Sequence, residues 1–416
     1  MLSYEENKLL TETGPGTPMG NLLRRYWVPA LASDELPKPD CPPVRLKIMS
    51  ENLVAFRDSN NQVAIFDEHC PHRRASMFFG RNEECGLRCV YHGWKFDTSG
   101  QCVDMPSEPP ESNFKESVKI KSYPCREAGG VIWTYMGPPE WMPELPPFHF
   151  VSLDKSHVKV ARYLHENNYF QGLEGAVDSS HISFLHRRKT DKPTEMQKVT
   201  HKFGNPKFEV VKTDYGMLIG ARRKTHIDNQ VYWRITQYIM PWYSIIPPIA
   251  LHSSHDDTGH LVSWVPMDDE NSIYWRITWD PVKPLDPNNL PHSYIEHEPG
   301  SLRPVLNKSN NYRMDRELQA SGKSYTGISD IPIEDQAVNE SQGAIADRSK
   351  ERLGTSDTAI IVARRMLINS ANGLTKGEIP PGLQTDNMRI RAASVMLEEG
   401  IPFQEGAKEF LVLQGK

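Results

Sequence analysis

The sequence predicts an α+β protein in which an all-β unit is followed by a larger unit of sheet with covering helices. Between Pro43 and Tyr135, short apolar or alternating segments are separated by turn residues, as in consecutive strands. Over about the last hundred residues, apolar residues recur at spacings of three and four, as in helices. The 416 residues are enough for two or three domains, each with its own core.

The first unit consists of short strands joined by turns. Ser59, Asn60 and Asn61 mark one turn, and Ser99 and Gly100 mark another. A β-branched and aromatic strand between glycines closes the unit. The predicted strands cover residues 42–49, 52–58, 62–68, 94–97, 101–105 and 131–136.

A proline-rich segment separates the two units. Five prolines between positions 138 and 147 are too many for a helix or a central strand, and they make a stiff spacer. We therefore predict a helical or extended N-terminal segment at 1–40, a first domain at 41–137, a linker at 138–150 and a second domain at 151–416.

The second unit mixes both element types. A helix is predicted to begin after Asn167 or Asn168. Strands are predicted at 216–223, 230–240, 260–267 and 272–279, and helices at 356–368 and 387–400.

Composition excludes several classes of protein. Lys and Arg total 48 and Asp and Glu total 53, so the net charge is −5 and gives no electrostatic case for binding nucleic acid or an anionic membrane. The N-terminus lacks the basic start and apolar run of a secretory signal. No stretch approaches the roughly 18 apolar residues of a membrane helix. We expect a soluble, cytoplasmic protein.

The strongest motif pairs cysteine with histidine twice. Cys70 and His72 lie two residues apart, and Cys89 and His92 lie three apart. A structural zinc site usually separates its thiolates from its imidazoles. Two mixed pairs instead suit a [2Fe–2S] cluster in which one iron takes the thiolates and the other takes the imidazoles. The remaining cysteines are expected to behave as small apolar residues; they are Cys41, Cys85, Cys102 and Cys125.

A second metal site is indicated downstream. His181 and His186 follow Asp178, and non-haem iron(II) that activates oxygen is typically held by two histidines and one carboxylate. The spacing alone does not identify the carboxylate. Among other acids, the C-terminal segment offers Asp330, Asp335, Asp347 and Asp357.

Together these motifs resemble the Rieske non-haem iron oxygenases. Ala75 and Tyr91 stand where the respiratory type of Rieske protein has two further cysteines, which favours the oxygenase branch. The segments 14–31, 78–97 and 168–186 resemble the oxygenase component of phthalate dioxygenase and its relatives, which include chlorobenzoate and isophthalate dioxygenases and some aryl-ether demethylases.

The resemblance implies roles for individual residues. Asp178 is expected to bridge an iron-ligand histidine and a Rieske histidine of a neighbouring subunit, because a metal-bound imidazole is oriented through its second nitrogen. Segment 349–367 resembles the stretch that carries the ligating aspartate. Asp357 is therefore the predicted third iron ligand, although it also suits a helix N-cap.

The resemblance also implies fold, assembly and partners. We expect an N-terminal Rieske domain, a C-terminal helix-grip catalytic domain with an antiparallel sheet, and a homotrimer or a hexamer of stacked trimers in which neighbours bring the two metal sites together. Residues 14–20 contain three glycines but lack a dinucleotide fingerprint. A separate NAD(P)H reductase, with FMN and a plant-type iron–sulfur centre, is therefore expected to supply electrons.

The substrate is expected to be an aromatic carboxylate held by an arginine, whose planar fork matches a carboxylate. Four arginines on the predicted sheet are candidates: Arg222, Arg223, Arg234 and Arg276. Residues that alternate along strand 230–240 share one face, and this face holds Tyr232, Arg234, Thr236 and Tyr238.

If this face looks into the pocket, Arg234 is the predicted anchor for the carboxylate; otherwise it is a solvated or ion-paired arginine. Ser179, next to the predicted bridge, is a further possible hydrogen-bond donor to the substrate. Asn168, Gln171 and Glu174 could line the pocket or be ordinary helix surface.

The predicted function is the oxygenase component of a dioxygenase that adds O₂ to an aromatic acid of the phthalate, isophthalate or chlorobenzoate type, giving a cis-dihydrodiol in aromatic catabolism. One alternative is an O-demethylase or monooxygenase acting on a methoxylated aromatic acid, since the same iron serves both reactions. A weaker alternative is an electron carrier without catalytic iron.

Overall fold

The computed structural model describes residues 1–248, 251, 258–286, 295–384 and 388–413. Within these ranges no helix combines the length and the apolar character needed to cross a bilayer. The helices are α1 (Tyr4–Thr11), α2 (Pro18–Leu23), α3 (Tyr169–Val177), α4 (Glu195–Lys202), α5 (Arg316–Ala320), α6 (Ile331–Ser341), α7 (Thr358–Leu374) and α8 (Phe403–Gly406).

The described residues also form nineteen strands. They are β1 (Trp27–Ala32), β2 (Val44–Ile48), β3 (Glu51–Arg57), β4 (Val63–Asp67), β5 (Arg81–Glu83), β6 (Gly86–Arg88), β7 (Lys95–Phe96), β8 (Cys102–Asp104), β9 (Ser122–Tyr123), β10 (Cys125–Ala128), β11 (Val131–Tyr135), β12 (Val158–His165), β13 (Lys207–Lys212), β14 (Gly216–Lys224), β15 (Gln230–Ile239), β16 (Tyr243–Ile245), β17 (Gly259–Pro266), β18 (Ser272–Trp279) and β19 (Ala393–Glu398).

The first third of the chain forms three small antiparallel sheets, which confirms the all-β prediction. Their strand orders are β1-β11-β10, β2-β3-β4-β9 and β5-β6-β7-β8. A separate small core, which includes Met77, Leu87, Trp94 and Phe96, lies beneath the loops that follow β4 and β6. These two loops carry the Cys–His pairs.

The second half is built on one antiparallel sheet of eight strands, in the order β12-β18-β17-β16-β15-β14-β13, with β19 also paired to β15. The four predicted strands are β14, β15, β17 and β18. They are confirmed because their sequence alternates or runs apolar as a largely buried sheet requires.

The predicted helix at 387–400 is wrong within the described residues. Residues 393–398 form β19, which pairs with β15 from Ile235 to Gln230. Ala393, Val395 and Leu397 are two residues apart and belong to the same small core as Phe403. The apolar residues of this segment satisfy both periodicities, and pairing with β15 selects the strand.

Helices cover the sheet at the place where the second metal motif lies. Asn168 caps α3, as predicted, and its side-chain oxygen accepts the N–H of Phe170. Helix α7, predicted at 356–368, is also confirmed, and it packs against α1, α2 and α3. Gln171 of α3 donates to the carbonyls of Asn339 and Gly343, which fixes α3 against α6.

The proline-rich segment is packed onto both halves of the chain. Phe148 and Phe150 stack on each other with ring centroids 5.6 Å apart. Phe148 contacts Trp133 of the first half and Tyr243 of the second, and Phe150 contacts Trp279. One hydrophobic core therefore continues across residues 138–150. The predicted domain boundaries stay predictions.

Gly172 allows α3 to approach the sheet closely. A Cβ atom at this position would lie 2.0 Å from Nε1 and 2.4 Å from Cδ1 of Trp264 on β17, so a larger residue must displace the helix or the indole. At Gly175, one turn later on the same helix, an added Cβ atom would have Asn339 Nδ2 as its nearest neighbour, at 3.6 Å.

We therefore expect Gly172→Ala to destabilise the protein by about 1–3 kcal/mol, the usual cost of overpacking. Gly175→Ala is the matched control, and we expect it to be neutral or stabilising by up to about 1 kcal/mol because alanine favours helix. Urea unfolding followed by far-UV circular dichroism measures both. Equal effects of the two substitutions would show that the approach at Gly172 is not constrained.

Candidate metal centres and substrate cavity

Two loops of the same construction carry the Cys–His pairs. In the first loop, the N–H of Cys70 donates to Ala75 and the N–H of Arg74 donates back to Cys70. In the second loop, the N–H of Cys89 donates to the Trp94 carbonyl, and the N–H of Gly93 donates to the Cys89 carbonyl. Four residues after each cysteine the backbone is left-handed, with φ 59° in the first loop and 78° in the second.

The two loops present their four side chains side by side. Cys70 and Cys89 are buried, His92 is half-buried and His72 is exposed. The imidazole rings of His72 and His92 lie 4.4 Å apart. The indole of Trp94 stacks on His72 at 4.3 Å and 8°. Two thiols and two imidazoles brought together in this way fit a [2Fe–2S] cluster in which histidines replace cysteines on one of the two irons.

The thiols of Cys70 and Cys89 shift each other's pKa values. Contact with the Cys70 thiol and the backbone N–H groups of Tyr91 and His92 lower the pKa of Cys89 to about 6, although burial opposes the change. The same contact and burial raise the pKa of Cys70. Metal binding by thiols requires their deprotonated form, and a lowered pKa at Cys89 favours that form.

The second candidate site lies just beyond α3. Asp178 ends the helix, a 3₁₀ turn at His181–Ser183 follows, and His186 comes one turn later. The two imidazole rings are 5.0 Å apart and nearly perpendicular. The carboxylate that meets them is Asp335 of α6, and ligand atoms of the three side chains all lie within 4.8 Å of one another.

Each histidine lies between two carboxylates. His186 Nε2 is 3.1 Å from Asp335 Oδ1, and its Nδ1 is 2.9 Å from Glu334 Oε2. His181 Nε2 is 3.8 Å from the same Asp335 oxygen, and its Nδ1 is 3.5 Å from Asp178 Oδ2. Both Nε2 atoms therefore face a shared position, and both Nδ1 atoms face an outer carboxylate that can hold the ring in place.

The histidines and carboxylates of this site shift each other's pKa values. Burial alone would lower the pKa of His186, but Asp335 and Glu334 raise it to about 9. Burial would raise the pKa of Asp335 and of Asp178, yet the neighbouring imidazoles lower both. Two imidazoles and one carboxylate around a shared position are the donor set that typically holds non-haem iron(II).

The predicted role of Asp357 as third ligand is contradicted by this geometry. Asp357 begins α7, and its Oδ2 accepts the N–H of Gly354 at 2.7 Å. Its carboxylate thus caps the 3₁₀ turn at Thr355–Asp357. Asp357 also occupies the N-cap position of α7, as expected, but its side chain makes no capping hydrogen bond to that helix. Asp335 stood among the four acids left open by spacing, but only the packing of α6 on α3 brings it to the histidines.

His181, His186 and Asp335 are called the triad. A cavity of about 220 Å³ adjoins the triad and is lined on one side by a face of the large sheet. A cavity of about 150 Å³ suffices for benzene. This one therefore accommodates a substituted single ring. Residues that line the cavity include Tyr163, His165, Ser179, Met196, Arg234, Tyr274 and Arg276.

Arg234 lies in this cavity, on the face of β15 expected from the alternation. It is 8% exposed, and Thr236, two residues later on the same face, lines the cavity with it. On the opposite face, Trp233 and Ile235 belong to the small core around Phe403. The strand thus separates a cavity face from a core face.

Among the described residues, the hydrogen-bond contacts of the Arg234 guanidinium are with neutral groups. Its Nη1 atom lies 3.3 Å from the Pro248 carbonyl oxygen and 3.4 Å from the Met196 sulfur. No acidic side chain pairs with it among the side chains that the structure describes. A buried positive charge is thus available to a ligand in the cavity.

The other predicted substrate residues have different surroundings. Ser179 lines the cavity, and its hydroxyl lies 3.4 Å from Arg223 Nη1, which donates to it. Arg223 is buried against the Ser179 backbone, Arg222 pairs with Glu399 at the surface, and Arg276 lines the cavity half-buried.

Three residues that could have lined the pocket are structural instead. Asn168 donates to the carbonyls of Thr11 and Asp269, and Gln171 binds α6. Glu174 forms buried ion pairs with two arginines, Arg348 and Arg364. They hold α3 in position rather than facing the cavity beside the triad.

Comparison with known families identifies both halves of the chain. Residues 26–124 match the Rieske [2Fe-2S] domain, and residues 134–406 match the family described as LigXa C-terminal domain like. The chain is 37% identical to the 3-chlorobenzoate-3,4-dioxygenase oxygenase subunit of Comamonas testosteroni, over 92% of each chain. The chain belongs to the Rieske non-haem iron oxygenases.

Other Rieske oxygenases are similar over comparable lengths. The phthalate 4,5-dioxygenase oxygenase subunit of Pseudomonas putida is 36% identical over 97% of this chain and 94% of its own. The 5,5'-dehydrodivanillate O-demethylase oxygenase subunit of Sphingobium is 33% identical over 93% and 84%. In fold, the crystal structure of dicamba monooxygenase bound to dicamba matches 86% of this chain and 99% of its own, with a TM-score of 0.59 and 18% identity.

As a Rieske oxygenase, the protein uses a [2Fe–2S] cluster, a mononuclear iron and O₂ as co-substrate. The cluster motif was found from sequence because its ligands lie in two short pairs. Glu334, which is fully buried and also accepts from Thr326 and Arg188, was missed. Its position directly before Asp335 is the one sequence signal that could have indicated it.

Because Asp335 belongs to the triad and Asp357 does not, we expect their substitution by alanine to affect the iron content differently. Asp335→Ala should remove the mononuclear iron, so that iron analysis of the purified protein falls from about three atoms per chain to about two, those of the cluster. Turnover should be lost while the visible spectrum of the cluster persists. Asp357→Ala is the control and should retain all the iron. Iron loss in Asp357→Ala alone would restore Asp357 as the ligand.

Proposed function

We propose that this chain is the oxygenase subunit of an aromatic-acid dioxygenase, in which Arg234 binds the substrate carboxylate beside an iron held by His181, His186 and Asp335. When bound, the cluster stores an electron and the mononuclear iron activates dioxygen next to the ring. The electron-carrier alternative is disfavoured because a carrier does not need the triad or the cavity. The proposed cluster ligands are Cys70, His72, Cys89 and His92.

The observation that carries this proposal is the buried guanidinium of Arg234, which has no acidic partner among the described side chains. Burial disfavours the charged form and lowers the pKa of Arg234, although Tyr232 partly offsets this. A charge in such a place is costly unless a partner arrives. A carboxylate on the substrate would supply that partner with two parallel hydrogen bonds. Relatives named for phthalate and chlorobenzoate support an aromatic acid.

Adding both atoms of O₂ across a ring bond consumes two electrons and two protons. We propose that NAD(P)H supplies the electrons through a separate reductase with FMN and a plant-type [2Fe–2S] centre. The relatives are themselves oxygenase subunits, and one solved structure of similar fold, with a TM-score of 0.57, is the complex of oxygenase and ferredoxin of carbazole 1,9a-dioxygenase. A cytoplasmic location stays part of this proposal.

Asp178 is proposed to connect subunits of a homotrimer or stacked-trimer hexamer. Its Oδ1 accepts the N–H of Ser180 at 2.6 Å, which leaves Oδ2 directed to His181. Asp178 also lines a surface groove together with His181, Asp335 and Lys350. A Rieske histidine of a neighbouring subunit could approach the carboxylate through this groove.

O-demethylation is a second candidate, supported by the dehydrodivanillate O-demethylase relative. The metal ligands do not distinguish it from dihydroxylation, because both reactions start from the same iron. Product analysis with a matched reductase on phthalate isomers, chlorobenzoates and methoxybenzoates separates them. A cis-dihydrodiol supports the dioxygenase, and a phenol with formaldehyde supports the demethylase.

The anchor is tested with Arg234→Met. Hydrogen bonds to charged groups contribute about 1.5–3 kcal/mol, so the affinity for an aromatic carboxylate should fall by about tenfold to a hundredfold. Affinity for the corresponding neutral amide should change little. Calorimetric titration of the iron-loaded protein measures both. Arg222→Met, on the surface of the neighbouring strand, is the control, and an equal loss in both variants would rule out Arg234 as the anchor.

The bridge is tested with Asp178→Asn, which keeps an oxygen for the Ser180 N–H but removes the charge. We expect iron content and substrate affinity to be kept while the reduced cluster is reoxidised at least tenfold more slowly in single turnover. Stopped-flow absorbance measures this rate, and Asp347→Asn, exposed at the same groove, is the control. A normal rate in Asp178→Asn would eliminate the bridging role.

A further inference from the structure

Among the described residues, two neighbouring side chains on β12 are buried in the cavity wall without hydrogen-bond partners. Tyr163 and His165 lie two residues apart on β12, share one face of the strand and line the cavity. They are 2% and 1% exposed. Within the described part of the chain, no hydrogen-bond partner is present for the Tyr163 hydroxyl or for either ring nitrogen of His165.

Packing, not hydrogen bonding, fixes the orientation of these rings. The imidazole of His165 stacks on Tyr274 at 5.4 Å and 16°, and the ring of Tyr163 lies 4.8 Å from that of Tyr274. The indole of Trp264 lies 6.4 Å from His165, edge to face. Leaving a buried polar group unsatisfied usually costs about 1–3 kcal/mol, so three such atoms in one cavity wall indicate a ligand.

Both side chains are uncharged at neutral pH. Burial lowers the pKa of His165 to about 3, although Asp335 opposes the change. Burial raises the pKa of Tyr163 far above its ordinary value. A neutral imidazole offers one donor and one acceptor, and a phenol can do either, so these two side chains can hydrogen-bond an oxygen substituent without a charge of their own, although the half-buried Arg276 lines the same cavity.

This wall is distinct from the proposed carboxylate anchor. In the sheet, β18, β17 and β16 stand between β12 and β15, which carries Arg234. Both Tyr163 and His165 line the same cavity as His181, His186 and Asp335. A ring held by Arg234 at one end would present its far substituent to these two residues.

We propose that Tyr163 and His165 form a second polar subsite, which binds an uncharged oxygen substituent, a hydroxyl or an ether, on the ring of the aromatic acid. The proposal rests on the proposed function and deepens it. The two residues position the ring by this oxygen, and thereby select which carbons or which ether group face the triad.

The test compares hydroxybenzoates with methylbenzoates substituted at the same ring position, since a methyl group matches a hydroxyl in size. Calorimetric titration of the iron-loaded protein gives the affinity ratio at the ortho, meta and para positions. At one position the hydroxy acid should bind about tenfold more tightly than the methyl acid. In His165→Leu this ratio should approach one, and in Tyr163→Phe it should fall severalfold.

Equal affinities at every position in the unmodified protein, or a ratio that persists in both variants, would overturn the subsite. The subsite would also be overturned if a dicarboxylic acid bound more tightly than the hydroxy acid and lost this advantage in His165→Leu. That result would assign the wall to a second negative charge. Tyr163→Phe removes one oxygen and keeps the ring, and an unchanged cluster spectrum and iron content confirm that each variant is folded.

Failure of the proposed function has a different signature. If benzoate binds no better than benzamide to the unmodified protein, the carboxylate anchor is absent, whatever the hydroxyl-to-methyl ratio. If benzoate is preferred and this preference depends on Arg234 but the ratio is one at every position, the anchor stands and the subsite alone is rejected.

Discussion

The contact between α3 and α6 is the constraint on which the candidate iron site depends. The histidines follow α3, whereas the carboxylate of Asp335 belongs to α6. Gln171 joins the two helices through two backbone carbonyls at the end of α6. One turn later, Glu174 is held in buried ion pairs by Arg348 and Arg364. A small shift of either helix would separate carboxylate from imidazole, so these buried polar contacts set the distances at the site.

Both candidate metal sites follow one physical plan, in which hydrogen bonds and packing hold the candidate ligand side chains in place. In the first half, two loops closed by equivalent pairs of backbone hydrogen bonds place thiols inside and imidazoles outside. In the second half, Asp178 and Glu334 each face the Nδ1 atom of one histidine and leave its Nε2 atom directed to Asp335. Carboxylates placed behind a ligand in this way fix the orientation of the ring and raise its basicity.

Three polar side chains of the cavity have no partner of the usual kind among the described residues, although unsatisfied buried atoms also occur elsewhere, such as Nε1 of Trp242. Buried carboxylates outside the cavity, such as Glu174 and Glu334, are paired with arginines. Among the described residues, Arg234 has no acidic partner in the cavity, and Tyr163 and His165 have no hydrogen-bond partner there. Local inconsistencies of this type concentrate at functional sites, where a ligand completes the interactions. We therefore expect a ligand that places a carboxylate near Arg234 on β15 and an uncharged oxygen near Tyr163 and His165 on β12.

The sequence by itself determined the features that depend on neighbours in the chain. The Cys–His pairs, the two histidines after α3 and the alternation that turns one arginine of β15 inward all follow from spacings of two to five residues. Tertiary structure alone decided which distant groups meet. Helix packing places Asp335, not Asp357, beside the histidines. Residues 393–398, which were expected to be helical, form a strand because they pair with β15. The position of β12 in the sheet places Tyr163 and His165 in the cavity wall. Short-range geometry is fixed by the backbone, but acids more than a hundred residues away are chemically alike until helix packing selects one of them.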